Sequence, residues 1–280
     1  AKRRGEWAEA KGEPFDWRGS LVYAAAILLL ICGASNLDKG LWAWLLALCG
    51  TGGLIHFLIL ESHTEFPVLN VNLLRSNRVF AFSNLAAMLN YAATFGVTFF
   101  LSLYLQYVKG LNPREAGTIL IIQPIVQAAF SPLCGRLADR FSAATVATIG
   151  MGLCAAGLAI AASITATTSM LLVMVMLATL GLGFALFSSP NISVIMGSVP
   201  PRYLGVASGL NSTMRTLGMM GSMTIITIIF SIFMADQAVT PQTQPQFLAS
   251  MHTALVTFSA LCIVGIFFSI ARIKKQPDPK

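Results

Sequence analysis

Residues 141–201 read FSAATVATIGMGLCAAGLAIAASITATTSMLLVMVMLATLGLGFALFSSPNISVIMGSVPP, 61 residues without one Lys, Arg, Asp or Glu. A hydrocarbon core about 30 Å thick is crossed by about 20 apolar helical residues, so this run must hold two crossings. The polar break Ser163-Ile164-Thr165-Ala166-Thr167-Thr168-Ser169 divides them. Both halves are too long and too uniformly apolar for barrel strands of about 9–11 alternating residues. Lipid offers the backbone no water to bond, so each half must satisfy its own amides as a helix.

Outward from this stretch the pattern repeats: 19–37, 40–60, 79–108, 116–135, 216–235 and 237–271 also lack Lys, Arg, Asp and Glu. Together the runs predict an all-α integral membrane fold of eight transmembrane helices. Their approximate bounds are Leu21–Ser35, Leu41–Leu60, Val79–Tyr107, Ala116–Cys134, Ala143–Ser163, Met170–Ile192, Leu204–Phe233 and Phe247–Ala271. Composition agrees, with 56% hydrophobic and 10% charged residues against roughly 25% charged in soluble domains.

Eight crossings place both termini on one side, and the cations say which. With the termini inside, fourteen of the eighteen Lys and Arg fall in internal segments, three (Lys39, Lys109, Arg114) in external ones, and Arg215 within a span. This obeys the positive-inside rule and predicts a multi-pass plasma-membrane protein with both ends cytoplasmic. The net charge of +7 is then a topogenic signal that also draws anionic membrane lipid, and nucleic acid is not an expected partner. No signal peptide is read, because about 20 polar residues precede the first apolar run. Ala1 followed by a charged stretch up to Arg18 reads as the middle of a longer polypeptide cut in a cytoplasmic linker, or as a processed or engineered start.

The expected organisation is a cytoplasmic linker over 1–20, a two-helix accessory hairpin over 21–60, a cytoplasmic interfacial linker over 61–78, a six-helix bundle over 79–271 and a cytoplasmic tail over 272–280. Gly150, Gly152, Gly157, Gly181, Gly183, Gly205, Gly209, Gly218 and Gly221 are placed where helices can approach closely. Cys32, Cys49, Cys134, Cys154 and Cys262 lie in or beside apolar runs without CxxC spacing and read as packing residues. His56 and His63 near Glu61 and Glu65 read as headgroup anchors, so neither a metal site nor a cofactor is expected. Ser/His/Asp, HExxH and phosphate-loop patterns are lacking, and the polar segments are too short for an active-site domain; the chain is not read as an enzyme.

Between the fourth and fifth spans stands Gly135-Arg136-Leu137-Ala138-Asp139-Arg140-Phe141. It resembles the G-x-L-A-D-R signature of the major facilitator superfamily, found between the second and third helices of a six-helix half, on the cytoplasmic side. Here it joins the second and third helices of the six-span block, on the side that charge assigns. Gly135 is expected to allow a tight turn, Asp139 to favour the positive end of the next helix, and Arg136 and Arg140 to hold the gating loop at the headgroups. The match departs from the full motif after Phe141, where Ser142-Ala143-Ala144 stand in place of Gly and further basic residues. The extra hairpin, Gly181 through Phe187 leading to Ser189-Pro190-Asn191, and Gly205 through Asn211 with Arg215 and Gly218 resemble the fourteen-helix drug:proton antiporters of the EmrB/QacA type. The resemblance implies a C-terminal half, with the N-terminal six helices and their proton-coupling carboxylates missing from this chain.

Asn84, Tyr91, Thr94, Thr98 and Ser102 share one face of the third span, with Phe95 and Phe99 adjoining it. Gln123, Gln127 and Ser131 recur at every fourth residue of the fourth span, where Pro124 and Pro132 interrupt the ladder. Pro124, and Pro190 with Asn191, are helix-break candidates whose freed carbonyls can face protein or water. Each stripe reads either as interhelical hydrogen bonding worth about 0.6 kcal/mol per contact or as the wall of a substrate cavity. Arg215, with Asn211 on its face, costs about 2.5–3.5 kcal/mol to bury near mid-membrane and is a functional candidate by default. Walls rich in Met88, Phe95, Phe99, Met219 and Met220 suit a loose apolar site. The expected function is proton-coupled efflux of a small-molecule substrate, drug-like or amphipathic, by alternating access, driven by the proton gradient. The alternative is a non-transporting truncated membrane protein or assembly partner of the same fold.

Overall fold

A computed structural model describes residues 16–34, 36, 40–64, 76–234 and 237–273. Nine α-helices are found among them: α1 Trp17–Ala34, α2 Leu41–Glu61, α3 Arg78–Leu103, α4 Pro113–Leu120, α5 Ile122–Arg140, α6 Ala143–Ala162, α7 Met170–Gly197, α8 Leu204–Met234 and α9 Gln244–Ile273. Seven spans are long and apolar enough to cross a membrane, with α4 and α5 making one of them and the shorter apolar stretch Trp17–Gly33 standing beside them. Every expected crossing therefore has its helix, and most run past the bounds read from hydropathy. The greater part of the expected interfacial linker, over 65–75, lies outside the described residues.

Local chemistry sets the helix ends. Asn77 caps α3 by accepting the Phe80 N–H. Asn112 and Glu115 form a reciprocal capping box, with Pro113 at the first position of α4, where its missing N–H costs nothing. The fourth crossing breaks at Ile121, between α4 and α5. Pro124 has no N–H to give the Leu120 carbonyl, which is the interruption expected at that proline. The other candidate behaves differently, since Pro190 sits inside an unbroken α7. Its neighbour Asn191 is buried and donates Nδ2–H to the Ser83 carbonyl at 3.2 Å, so tertiary bonds hold the helix continuous across the proline. α3 ends in a π-helical turn, Tyr104–Val108, closed by Lys109 N–H to Tyr104 C=O. Lys109 Nζ then donates to the carbonyls of Ala166 (2.8 Å) and Thr168 (2.6 Å), fastening the polar break between α6 and α7.

The six-helix block packs α6 on α7, α3 on α8 and α9, α5 on α7, and α9 on α6. Its centre holds Phe100, Tyr104, Met151, Leu180, Phe247 and Phe258, all fully buried. Small residues permit the tightest seams. A Cβ added at Gly150 would lie 2.6 Å from the backbone of Leu186 and Phe187, and one at Gly183 would lie 2.8 Å from the Cys154 nitrogen. Gly218 leaves room for the Met88 carbonyl. Gly152, Gly205, Gly209 and Gly221 face open space, so those four do not mark seams within this chain. α1 and α2 form the hairpin, closed where Gly33 meets Ala47 and Gly50 meets Leu30. It meets the bundle chiefly along α8, where the Tyr23 hydroxyl bonds Thr213, and Phe57 of α2, beside the Tyr23 ring, packs with Ala207 and Leu210.

Two details correct the sequence reading. Gly135 makes no turn, because α5 continues helically through Arg140 and only Phe141 and Ser142 link it to α6. Helical hydrogen bonding extends through the motif, and Asp139 and Arg140 are exposed on its last turn. Arg272 does not belong to a solvated tail. It occupies the last turn of α9, is 2% exposed, and donates to Ser83 Oγ (3.0 Å), Asn191 Oδ1, Ala144 C=O (3.3 Å) and Ser269 Oγ (2.9 Å).

Candidate functional site

A cavity of about 470 Å³ opens on one side of the six-helix block. α3 contributes Tyr91, Thr94, Phe95, Thr98 and Phe99 to it, one per turn or half turn along a single face. That face exists because Ala92, Ala93, Val97 and Phe100 on the opposite side are buried in the core and fix the rotation of α3. Gln123 and Gln127 enter from α5, just beyond the break at Ile121, so the central members of both polar stripes converge, while Asn84, Ser102 and Ser131 do not line the cavity. α8 adds Arg215, Met219 and Met223 at successive turns. α7 supplies Phe184 and Ser188.

Arg215 is the cavity's single cation. Its guanidinium carbon lies 5.3 Å from the centroid of the Tyr91 ring, and the ring in turn stands 5.8 Å from Phe184. The arginine is exposed on the open side and has no ion pair among the described residues. A face-on aromatic is worth about 0.5–1 kcal/mol to an exposed cation, too little to use up its charge. Thr94 is buried and donates to the Asn90 carbonyl at 2.7 Å, so its hydroxyl is already partnered within the helix. On the far side of α3, Gly96 N–H donates to Ser222 Oγ at 2.9 Å, pinning α3 to α8 directly beneath the cavity wall. Apolar rings, two amides and one uncompensated cation make a site that can hold a large amphipathic molecule by shape and an anionic or π-rich group by charge.

Other candidates lie elsewhere. Asn84 is buried nearer the arginine-rich end and donates Nδ2–H to Phe80 C=O at 2.9 Å. Asn211 is half-buried on α8 and is not among the lining residues. Of the methionines expected in the walls, Met219 lines the cavity, while Met88 and Met220 do not. Gly135, Arg136, Asp139 and Arg140 sit at the far end of α5. Phe184, Ser188 and Met223 were missed by the sequence reading. Their signal was present, since Phe184 and Ser188 are four apart and Met223 continues the Arg215, Met219 spacing.

Residues 12–223 match the family model described as the Major Facilitator Superfamily, and the chain belongs to that superfamily. Among curated proteins it is 28% identical over 275 residues to the riboflavin transporter RibZ of Clostridioides difficile, covering 95% of this chain and 58% of the relative. It is 27% identical to the tetracenomycin C resistance and export protein of Streptomyces glaucescens, covering 82% of this chain and 43% of the relative. The multidrug resistance protein Stp of Mycobacterium tuberculosis is 26% identical over 76% of this chain and 40% of its own length. The chain thus spans about half the length of these relatives. Among solved structures, a bacterial homologue of the lysosomal transporter Spinster superposes with a TM-score of 0.59 at 15% identity, covering 93% of this chain and 71% of that one. The nucleoside transporter NupG gives 0.57 at 16% identity, covering 90% and 65%. These likenesses establish an all-helical transporter fold in a multi-pass membrane protein.

Proposed function

We propose that this chain is the C-terminal half of a fourteen-helix secondary transporter that exports drug-like or amphipathic compounds in exchange for protons. The observation that carries the reading is the one-sided cavity, in which four crossings place aromatic, amide and cationic groups together about midway along their length. Arg215 lies eleven residues into α8, about 16 Å along its axis at about 1.5 Å per residue. An open cavity wall at that depth is half of a binding site, and a second six-helix bundle supplies the other half in rocking-bundle transport. Export proteins among the relatives support the substrate class, and the coverage of about half their length supports the assignment as one half. The arginine-rich end of the bundle, with Arg78, Arg136, Arg140 and Arg202, faces the cytoplasm in this reading.

The test is efflux from cells carrying the full-length protein, with and without a collapsed proton gradient. Gradient-dependent efflux of a lipophilic anionic dye, lost in Gln123→Ala and Gln127→Ala at unchanged membrane abundance, supports the assignment. Uptake of the same compounds, or efflux indifferent to the gradient, overturns it.

A further inference from the structure

Arg272 presents an electrostatic problem that the transport reading leaves unsolved. It is 2% exposed, yet its hydrogen-bond partners are hydroxyls, an amide oxygen and a carbonyl, with no carboxylate among the described residues. Its Nε–H has no acceptor. A buried cation without a counter-charge is costly, and neutral acceptors offset only part of that.

Beside it lies a second cavity of about 410 Å³, separate from the one at Arg215. Its wall includes Asn77, Ser142, Ala144, Ser193, Ser198 and Arg272, and none of the residues lining it is acidic. The cavity sits against the first turn of α6, a helix of 20 residues. Ser142 occupies the N-cap position there without capping anything with its side chain. The first amides of a helix have no intrahelical acceptor and carry its positive end. The end of α7 also lines the cavity, and there the Ser198 carbonyl accepts from Asn77 Nδ2 at 2.5 Å. Asp139, the nearest acid in sequence, is exposed and does not line the cavity. A buried guanidinium without a carboxylate partner, an uncapped helix start and the Ser142 hydroxyl together match one ligand chemistry, an oxyanion; the Ser193 and Ser198 hydroxyls already donate to the Ser189 and Ile195 carbonyls.

We infer that this cavity is a phosphate-binding site, in which a phosphate group supplies the missing counter-charge of Arg272 and locks α3, α6, α7 and α9 together at their arginine-rich ends. The group has two sources, free phosphate or the headgroup of an anionic phospholipid. The site stands apart from the transport cavity, so its test reads binding and not transport.

The experiment is thermal melting and native mass spectrometry of the full-length protein in a neutral maltoside detergent. Inorganic phosphate, phosphatidic acid and phosphatidylcholine are titrated separately. The expected result is a saturable rise in melting temperature with phosphatidic acid, with phosphate, or with both, and none with phosphatidylcholine; which of the first two acts identifies the source. Arg272→Gln removes the response, but that variant also breaks four hydrogen bonds. Ser193→Glu is the decisive companion, because Ser193 is exposed on α7 and a carboxylate there enters the cavity as a resident anion. It is expected to melt higher than the parent without ligand and to lose the response. No saturable response to either phosphate source, or an equal response in Ser193→Glu, overturns the site.

Discussion

The guanidinium of Arg215 on α8 stands over the Tyr91 ring on α3, with 5.3 Å between its central carbon and the ring centroid. The contact joins the two helices that Gly218 allows to touch at the Met88 carbonyl one turn away. Cation and ring thereby share one wall, and their order along the cavity is fixed by backbone packing.

Arg215→Ala is expected to abolish transport by the full-length protein at normal membrane abundance, while Arg215→Lys keeps part of it. Lysine retains the charge but not the planar stacking. Tyr91→Phe, which preserves the face offered to the cation, is expected to stay close to the parent. Efflux assays alongside surface quantification check this. Abundance falling with activity makes Arg215 a packing residue, and unchanged transport in Arg215→Ala removes it from the mechanism.

The tight seam between α6 and α7 gives a stability prediction. Gly150→Val places a Cβ 2.6 Å from the Leu186 and Phe187 backbone, which cannot retreat as a side chain tip can. Overpacking of this kind costs about 1–3 kcal/mol, and a lowered melting temperature in detergent is expected. Gly152→Ala, two residues away with open space in front of its Cα, is expected to melt like the parent. Equal melting of all three proteins contradicts the seam.

Orientation is checked by labelling. Gln242 lies exposed in the turn before α9, on the end opposite Arg140 and Arg202. In the proposed topology Gln242→Cys reacts with an impermeant maleimide in intact cells, whereas tags placed after Arg4 and Lys280 are protected. Protection of position 242 inverts the map.

In the proposed function, proton coupling falls to residues outside this chain. The described acids lie at helix ends or in links, as with Glu61, Glu115 and Asp139, and none lines the Arg215 cavity. Reconstituted alone, the 280 residues are expected to give no proton-driven flux, and co-expression with a complementary six-helix half restores it. Robust proton-driven transport by the isolated chain contradicts both statements.

The crossings were legible in the sequence because a membrane helix announces itself by what it excludes. The cavity walls were legible on α3 and α5 because polar residues at helical spacing are conspicuous against an apolar background. Phe184 and Met223 were harder to see, since an apolar side chain reads the same whether it faces the core, lipid or a cavity. Arg272 was misplaced for a different reason. Hydropathy ends a span at its first charge, whereas the helix runs on to Ile273, and besides Ser269 on α9 itself the acceptors that accommodate this arginine come from α3, α6 and α7, 81 to 189 residues away in the chain. Gly135 misled because glycine is a turn signal only where the backbone takes a positive φ, and in α5 it is simply one more helical residue in a contact-free place.

The attachment of α1 and α2 has an evolutionary consequence. Their mutual seam is sealed by their own residues, Gly33 against Ala47 and Gly50 against Leu30, and they touch the rest of the molecule chiefly along the flank of α8. A cassette with its own closure and one small contact patch, around Tyr23 and Phe57, can be spliced into or out of an ancestral gene while the six-helix core keeps every one of its internal contacts. Helix number in such a lineage is then free to drift, and a count of spans is a poorer guide to descent than the packing of the six that remain.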